Sequence, residues 1–276
     1  MSSISAYIIA YNEEEKIADA INSVLWADEI IVADSYSQDQ TAEIAASMGA
    51  RVVQIPFTGF GELRNQAIKN CTHPWIFSLD SDERCSPEVR DEILNLIEAS
   101  IAHDVYHVPR KNFFMGKWIN HSGFYPNYRQ PQLFRNGAMT YKPDPVHEGF
   151  VLRTDKPIGY LTHAIWQYPF KNFDEVIGKA RRYSSLGAQR MAGEGKKSGL
   201  SGALIHAIWT FVQHFILKRG FLDGRAGFAI AFGNFEGTYY KYMKLVEINS
   251  DWHPPSCPPL RRPNGGKPIL TQGHDA

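Results

Sequence analysis

The chain has 276 residues, enough for one large domain or one domain with an appendage. Its 43% hydrophobic and 21% charged content is that of a water-soluble globular protein, and 29 Lys/Arg against 29 Asp/Glu leave no net field to attract nucleic acid. Three cysteines (Cys71, Cys85, Cys257) make no C-x-x-C pair, which argues against a disulfide framework and for reduced thiols in a cytosolic compartment.

The N-terminus lacks a basic stretch followed by a long apolar run, so no secretory signal is expected. Residues 5–10 are apolar and predict a first buried strand. Asn12 is expected to cap a helix, with Glu15 three residues on as in a capping box, and Ile17, Ala20, Ile21 and Val24 fall on one face of that helix. Residues 29–34 predict a second strand ending in Asp34. A helix over 40–48, a strand over 51–55 and a helix over 63–70 follow. Residues 75–79 predict the next strand, and Ser86-Pro87 is a strong helix start, a capping serine with proline in the first turn.

This alternation predicts a parallel α/β sheet, in which ligands bind at the carboxyl ends of strands. Three successive strand ends present Asn12/Glu13, Asp34 and Asp80/Asp82. In Trp75-Ile76-Phe77-Ser78-Leu79-Asp80-Ser81-Asp82-Glu83 a hydrophobic strand delivers two aspartates one residue apart. Such a pair suits a hard divalent cation, Mg²⁺ or Mn²⁺, which takes oxygen ligands and shares them with substrate phosphates. No G-x-G-x-x-G follows the first strand and no G-x-x-x-x-G-K-[ST] occurs, which removes the usual dinucleotide and P-loop readings. Residues 105–165 are aromatic-rich and mixed, residues 170–250 helical and basic, and the Pro/Gly-rich end is expected to be a disordered tail.

Several of these segments carry a resemblance. Tyr11-Asn12-Glu13-Glu14, the run from Trp26 to Thr41, Gly61-Glu62-Leu63-Arg64-Asn65 and Leu79-Asp80-Ser81-Asp82-Glu83-Arg84 resemble family 2 glycosyltransferases of the GT-A fold. Pro145-Val146-His147-Glu148 and Phe221-Leu222-Asp223-Gly224 resemble a narrower branch, the lipopolysaccharide core β-1,4-glucosyltransferases, which add glucose to an inner-core heptose. The likeness covers roughly residues 3–248. Ala10 departs from it, since many relatives carry threonine there.

The resemblance implies a mostly parallel sheet flanked by helices, divided as follows: residues 1–105 a nucleotide-sugar-binding half, 106–168 an acceptor and catalytic half, 169–250 a basic and apolar helical extension facing a membrane, and 251–276 the tail. It implies a UDP-sugar donor, most simply UDP-glucose, and inversion at the anomeric carbon. Asn12, Glu13, Asp34 and Asp39 are expected beside the nucleotide, although Asn12 and Asp39 suit helix caps equally well. Arg64 and Arg182 are expected at the diphosphate, where guanidinium pairs with phosphate oxygens. Asp82 and Asp80 are the expected metal ligands, with His163 as a third. Glu148 is the candidate general base, with His147 and Asp144 as alternatives. Tyr183 is expected to stack on the acceptor.

Between residues 171 and 225 there are ten Lys/Arg against four Asp/Glu, a local balance of +6. Within this stretch, residues 200–217 contain no charged side chain other than histidine. The run is close to the length of a membrane span. His206, Thr210, Gln213 and His214 form a polar stripe on it, so an in-plane amphipathic helix at an anionic inner leaflet is expected. Together these features predict a cytoplasmic enzyme, peripheral on the inner membrane, with a lipid-linked saccharide acceptor and no nucleic-acid partner. Two other classes share parts of the pattern. A sugar nucleotidylyltransferase would need a glycine-rich loop after the first strand, and residues 10–16 contain no glycine. A non-catalytic nucleotide-sugar binder would keep Asp34 but need neither base nor metal.

Overall fold

The structure is a computed structural model that describes residues 3–99, 102–126, 131–142 and 149–250. The N-terminal part alternates β1 (Ile4–Ala10), α1 (Ile17–Asn22), β2 (Glu29–Asp34), α2 (Thr41–Ser47), β3 (Arg51–Gln54), α3 (Phe60–Asn70) and β4 (Trp75–Asp80), followed by β5 (Glu83–Arg84) and α4 (Pro87–Glu98). Short strands come next: β6 (Val105–His107), β7 (Arg110–Phe114), β8 (Lys117–Ile119), β9 (Pro131–Arg135), β10 (Met139–Tyr141), β11 (Phe150–Leu152), β12 (Gly159–Tyr160) and β13 (Ile165–Gln167). Three helices close the described chain: α5 (Phe173–Gly193), α6 (Leu200–Val212) and α7 (Gly224–Ile248). A π turn at Gln213–Leu217 and a 3₁₀ turn at Gly220–Asp223 join the last two.

The main sheet has seven strands in the order β12-β6-β9-β4-β1-β2-β3. Strand β1 lies parallel between β2 and β4, with Ala10 opposite Asp34 and Ile9 opposite Asp80. The register therefore brings the ends of β2 and β4 level on either side of β1, with Asp34 and Asp80 on alternate faces of the sheet. Both faces of the sheet are covered, which is why β1 and β4 read as almost unbroken apolar runs. Alternate residues serve the two faces. Ile4, Ala6, Ile8, Trp75, Phe77 and Leu79 pack with α1 and α4, while Tyr7, Ile9, Ile31 and Ile76 pack with α3 and β10. Burial pushes the thiols of Cys71 and Cys85 up to about 12, so both stay protonated and inert.

Ser86 caps α4 as expected, its hydroxyl accepting from the Val89 N–H at 3.3 Å. Asn12 caps nothing. Helix α1 begins only at Ile17, with Lys16 at its N-cap and no side-chain cap. Asn12 instead sits in the left-handed region (φ 55°), and its Oδ1 accepts from the Gln38 N–H at 2.8 Å. A contact spanning 26 residues has replaced the local one that the sequence suggested.

A second, four-stranded sheet has the order β5-β13-β7-β8. Its first strand leaves the turn at Ser81-Asp82, and pairing places Gln167 of β13 opposite Glu83. The C-terminal helices are fastened to this sheet by Asp223, which is 3% exposed. Its carboxylate accepts from the N–H groups of Asn120 (3.3 Å) and His121 (3.1 Å), and Lys117 Nζ donates to its carbonyl at 3.0 Å. Residues 251–276, expected to form the tail, lie outside the described residues.

Candidate active site

Strand β4 ends in the turn that carries the candidate metal ligands. Asp80, Asp82 and Glu83 each offer a carboxylate oxygen, and these atoms all lie within 4.8 Å of one another. Glu83 is fully buried. Its Oε1 lies 2.8 Å from Arg110 Nε, and its Oε2 accepts from Gln132 Nε2 (2.8 Å) and from the Asp80 N–H (3.0 Å). Glu83 thus holds the turn from beneath, and Asp80 and Asp82, only partly buried, lie nearer the surface. Both oxygens of Asp82 accept from Gln167 Nε2, at 3.3 and 3.2 Å. Burial, then the negative charge of Asp80, raises the Asp82 carboxyl. Burial raises Glu83 to about 7, against the pull of Arg110. Burial also raises Glu13, with Lys16 opposing and Asp82 adding to the effect. Crowded oxygen donors that resist ionisation are what a divalent cation relieves, and an all-oxygen donor set fits Mg²⁺ or Mn²⁺.

Helix α3 supplies a second cation to this turn. Arg64 is 6% exposed; its Nη2 donates to Asp80 Oδ1 at 2.7 Å and its Nη1 to Ser78 Oγ at 3.3 Å. The residues around it explain the rest of the Gly61–Asn65 segment. A Cβ on Gly61 would lie 2.0 Å from the Lys142 carbonyl oxygen, so only glycine lets β10 come this close. The Asn65 amide bonds Tyr141 in both directions: Nδ2 donates to its carbonyl and Oδ1 accepts from its N–H, each at 2.9 Å. Helix α3 therefore clamps the strand that leads into residues 143–148.

Two loops meet beside the acidic turn. The Asn12 N–H donates to Ser37 Oγ at 2.9 Å, the Glu13 N–H to Thr41 Oγ1 at 2.7 Å, and the Glu14 N–H to Asp39 Oδ2 at 3.1 Å. Asp34 is fully buried, and both its oxygens accept from Ser37, one from the hydroxyl and one from the N–H. Asp39 Oδ1 accepts from the N–H (3.0 Å) and hydroxyl (2.5 Å) of Thr41 at the start of α2. Asn12, Glu13 and Asp39 line a cavity of about 470 Å³ whose opposite wall is α5, through Glu175, Lys179 and Arg182. Lys179 Nζ rests 4.9 Å from the centroid of the Phe170 ring, and its charge is felt at Asp82. A larger cleft of about 840 Å³ lies alongside, lined by Arg84, Trp166 and Tyr168 and sharing Lys16 and Phe170 with the first.

Asp80 and Asp82 come together with Glu83, with Arg64 beside Asp80 and Arg182 facing Glu13 across the cavity, whereas Asp34 is buried one strand beyond β1 and bonded to Ser37. Tyr183 is 56% exposed on α5, its ring beside the Arg182 guanidinium. His163 does not join the acidic group: its Nδ1 lies 2.9 Å from Glu92 Oε2 on α4, and Glu83 is the third carboxylate. Asp144, His147 and Glu148 lie outside the described residues.

Residues 5–160 match glycosyl transferase family 2. The chain belongs to this family. As a family 2 transferase it is similar along nearly its whole length to an uncharacterized glycosyltransferase of Rickettsia typhi, with 32% identity covering 90% of this chain and 88% of the relative. It is also 30% identical to the lipopolysaccharide core biosynthesis glycosyltransferase LpsC of Rhizobium meliloti, over 89% of this chain and 91% of that one. Among solved structures, glucosyl-3-phosphoglycerate synthase from Mycobacterium tuberculosis, determined with Mn²⁺ and UDP, shares 28% identity over 42% of this chain and 45% of that one, at a TM-score of 0.34.

Sequence reasoning missed residues of the candidate site, among them Gln167, which holds Asp82. Glu83 stood beside the aspartate pair without a role. Its partners Arg110 and Gln132 come from distant short strands and had no local signal. Lys179 was visible as the residue one helical turn before Arg182, a spacing that puts both on one face.

Proposed function

We propose that this family 2 glycosyltransferase moves a hexose, glucose from UDP-glucose, with inversion onto an inner-core heptose of lipopolysaccharide at the cytoplasmic face of the inner membrane. The observation that supports the reading best is the cluster of Asp80, Asp82 and Glu83 at the carboxyl end of β4, whose ligand oxygens lie within 4.8 Å of one another. The likeness to LpsC supports the acceptor class.

Asp82 and Asp80 hold Mg²⁺ or Mn²⁺, with Glu83 fixing the turn beneath them. The bound ion supplies positive charge to the diphosphate. Asn12, Glu13 and Asp39 shape the nucleotide subsite, and Asp34 sets its floor through Ser37. Arg64 holds Asp80 in place and adds positive charge behind it. Lys179 and Arg182 face the diphosphate from α5 and stabilise its charge as the bond to the sugar breaks. Glu148, with His147 or Asp144 as alternatives, takes the proton of the attacking hydroxyl. Tyr183 stacks on the acceptor.

A donor panel tested against purified, truncated core acceptors and read by mass shift identifies the sugar. With UDP-glucose and Mn²⁺, UDP release is expected to be lost in Asp82→Ala and kept in the exposed control Asp91→Ala. Equal release by both variants, or no transfer from any UDP-sugar, overturns the reading.

A further inference from the structure

Helix α6 is inverted relative to a surface helix of a water-soluble domain, which turns its polar side outward. Ala203 and Ala207 are buried against α7. The polar stripe turns the same way: the His206 ring stacks on Tyr242 at 4.3 Å, and Thr210 Oγ1 lies 3.3 Å from Thr238 Oγ1. The bulky apolar side chains are left outside. Leu204, Ile205, Ile208 and Trp209 are between 41% and 65% exposed, and Leu217 and Phe221 extend the surface through the turn at 50–60%. Phe211 and Phe215 each meet Phe228 of α7 edge to face, so the apolar surface continues across both helices. A continuous apolar face of this kind marks an interaction surface.

Charge says what covers it. Lys196 and Lys197 precede α6, Lys218 and Arg219 follow the turn, and residues 195–222 contain no Asp or Glu. All four cations are exposed, with Glu194 paired to Lys196 at 2.7 Å. An apolar strip bracketed by cations at both ends complements the interface of an anionic bilayer. The strip runs along the helix at 204-208 and 205-209, and the opposite side is closed by α7, so only one face can meet lipid. A single apolar face opposite a polar stripe, with cations at both ends, suits a helix lying in the interface plane.

We propose that α6 and the turn after it dock in the plane of an anionic lipid bilayer, and that this docking fixes the orientation of the active site. The same turn ends in Asp223, which is bolted to Asn120 and His121 at the end of β8. That sheet also carries Arg110 and Gln167, the residues behind the acidic turn. The proposal rests on the reading of the acceptor as lipid-linked.

The test is flotation of the full chain with vesicles of phosphatidylcholine alone and of phosphatidylcholine with phosphatidylglycerol. The protein is expected to float with the mixed vesicles and to lose binding as salt rises. Ile205→Glu/Trp209→Glu and Lys218→Glu/Arg219→Glu are each expected to lower the bound fraction by roughly tenfold or more while retaining turnover of a deacylated, soluble acceptor. No flotation of the wild type, or unchanged flotation of the variants, overturns docking. So does a wild-type dimer that Trp209→Glu dissociates with vesicle binding unaffected, since the face would then join two copies of the chain. Turnover of the soluble acceptor without vesicle binding overturns docking and leaves the enzymatic reading intact; vesicle binding without turnover of any acceptor does the reverse.

Discussion

Arg64 and Asp80 form a directional ion pair across the α3–β4 boundary, with 2.7 Å between Nη2 and Oδ1. The second guanidinium arm reaches Ser78 one pleat earlier on the same strand. A planar fork can hold both partners at once, whereas the point charge of a lysine can hold only one. The pair therefore fixes the angle at which Asp80 presents its carboxylate.

Arg64→Lys is accordingly expected to lower turnover by about 10–100-fold and to raise the Mn²⁺ concentration needed for half-maximal activity, the usual result of removing a group that orients a metal ligand. Titrating UDP release against Mn²⁺ checks this. A variant with wild-type metal dependence would separate Arg64 from the metal site.

The Glu83–Arg110 pair is buried on both sides, with side chains 0% and 5% exposed. Arg110→Ala leaves a carboxylate enclosed without its cation, and the expected cost is about 3–5 kcal/mol in urea unfolding. Adding Glu83→Gln to Arg110→Ala should recover part of that stability without recovering activity, because the neutral side chain no longer demands a counter-charge.

Gly61→Ala pits two effects against each other. Alanine favours the helix by about 1 kcal/mol. Its Cβ, however, would sit 2.0 Å from a backbone carbonyl, so β10 must move away from α3. Overpacking of this kind costs about 1–3 kcal/mol. We expect net destabilisation by denaturant titration and a fall in kcat, since β10 leads into the segment assigned to the base.

Glu29 governs part of the acid sensitivity. Burial alone would raise it, but hydrogen bonds from Ser5, Thr72 and Arg51 outweigh burial and hold it at about 2, below the ordinary 4.5. Its folded value is depressed, so its contribution to stability is fully present above the unfolded value and is lost as pH falls from about 4.5 through about 2. The stability gap between wild type and Glu29→Gln should be constant near neutral pH and shrink between pH 5 and pH 2, measured by urea unfolding at a series of pH values.

The N-terminal half of the sheet was legible because its strands are buried on both faces and end in carboxylates, so the acidic turn at Asp80 and Asp82 declared itself by position. Asn12 misled because asparagine suits a helix cap and a left-handed bend equally, and only the approach of Gln38 decides between them. His163 misled because a histidine at a strand end carries no mark of its partner, which is Glu92 on another element. The Glu83–Arg110–Gln132 cluster was invisible because it is assembled from β5, β7 and β9, strands too short to give a periodic signal. The apolar side of α6 was legible, but the partners of its polar stripe depend on how α7 folds back.

Strand β9 enters the main sheet antiparallel to both of its neighbours, β4 and β6. During synthesis the outer edge of β4 must wait without a partner until residue 135 has left the ribosome. An open edge beside Trp75 and Phe77 is a template for wrong pairing. The first four strands and the short strands after them thus depend on one another to close the sheet, and a gene split between them is expected to release a fragment prone to aggregate.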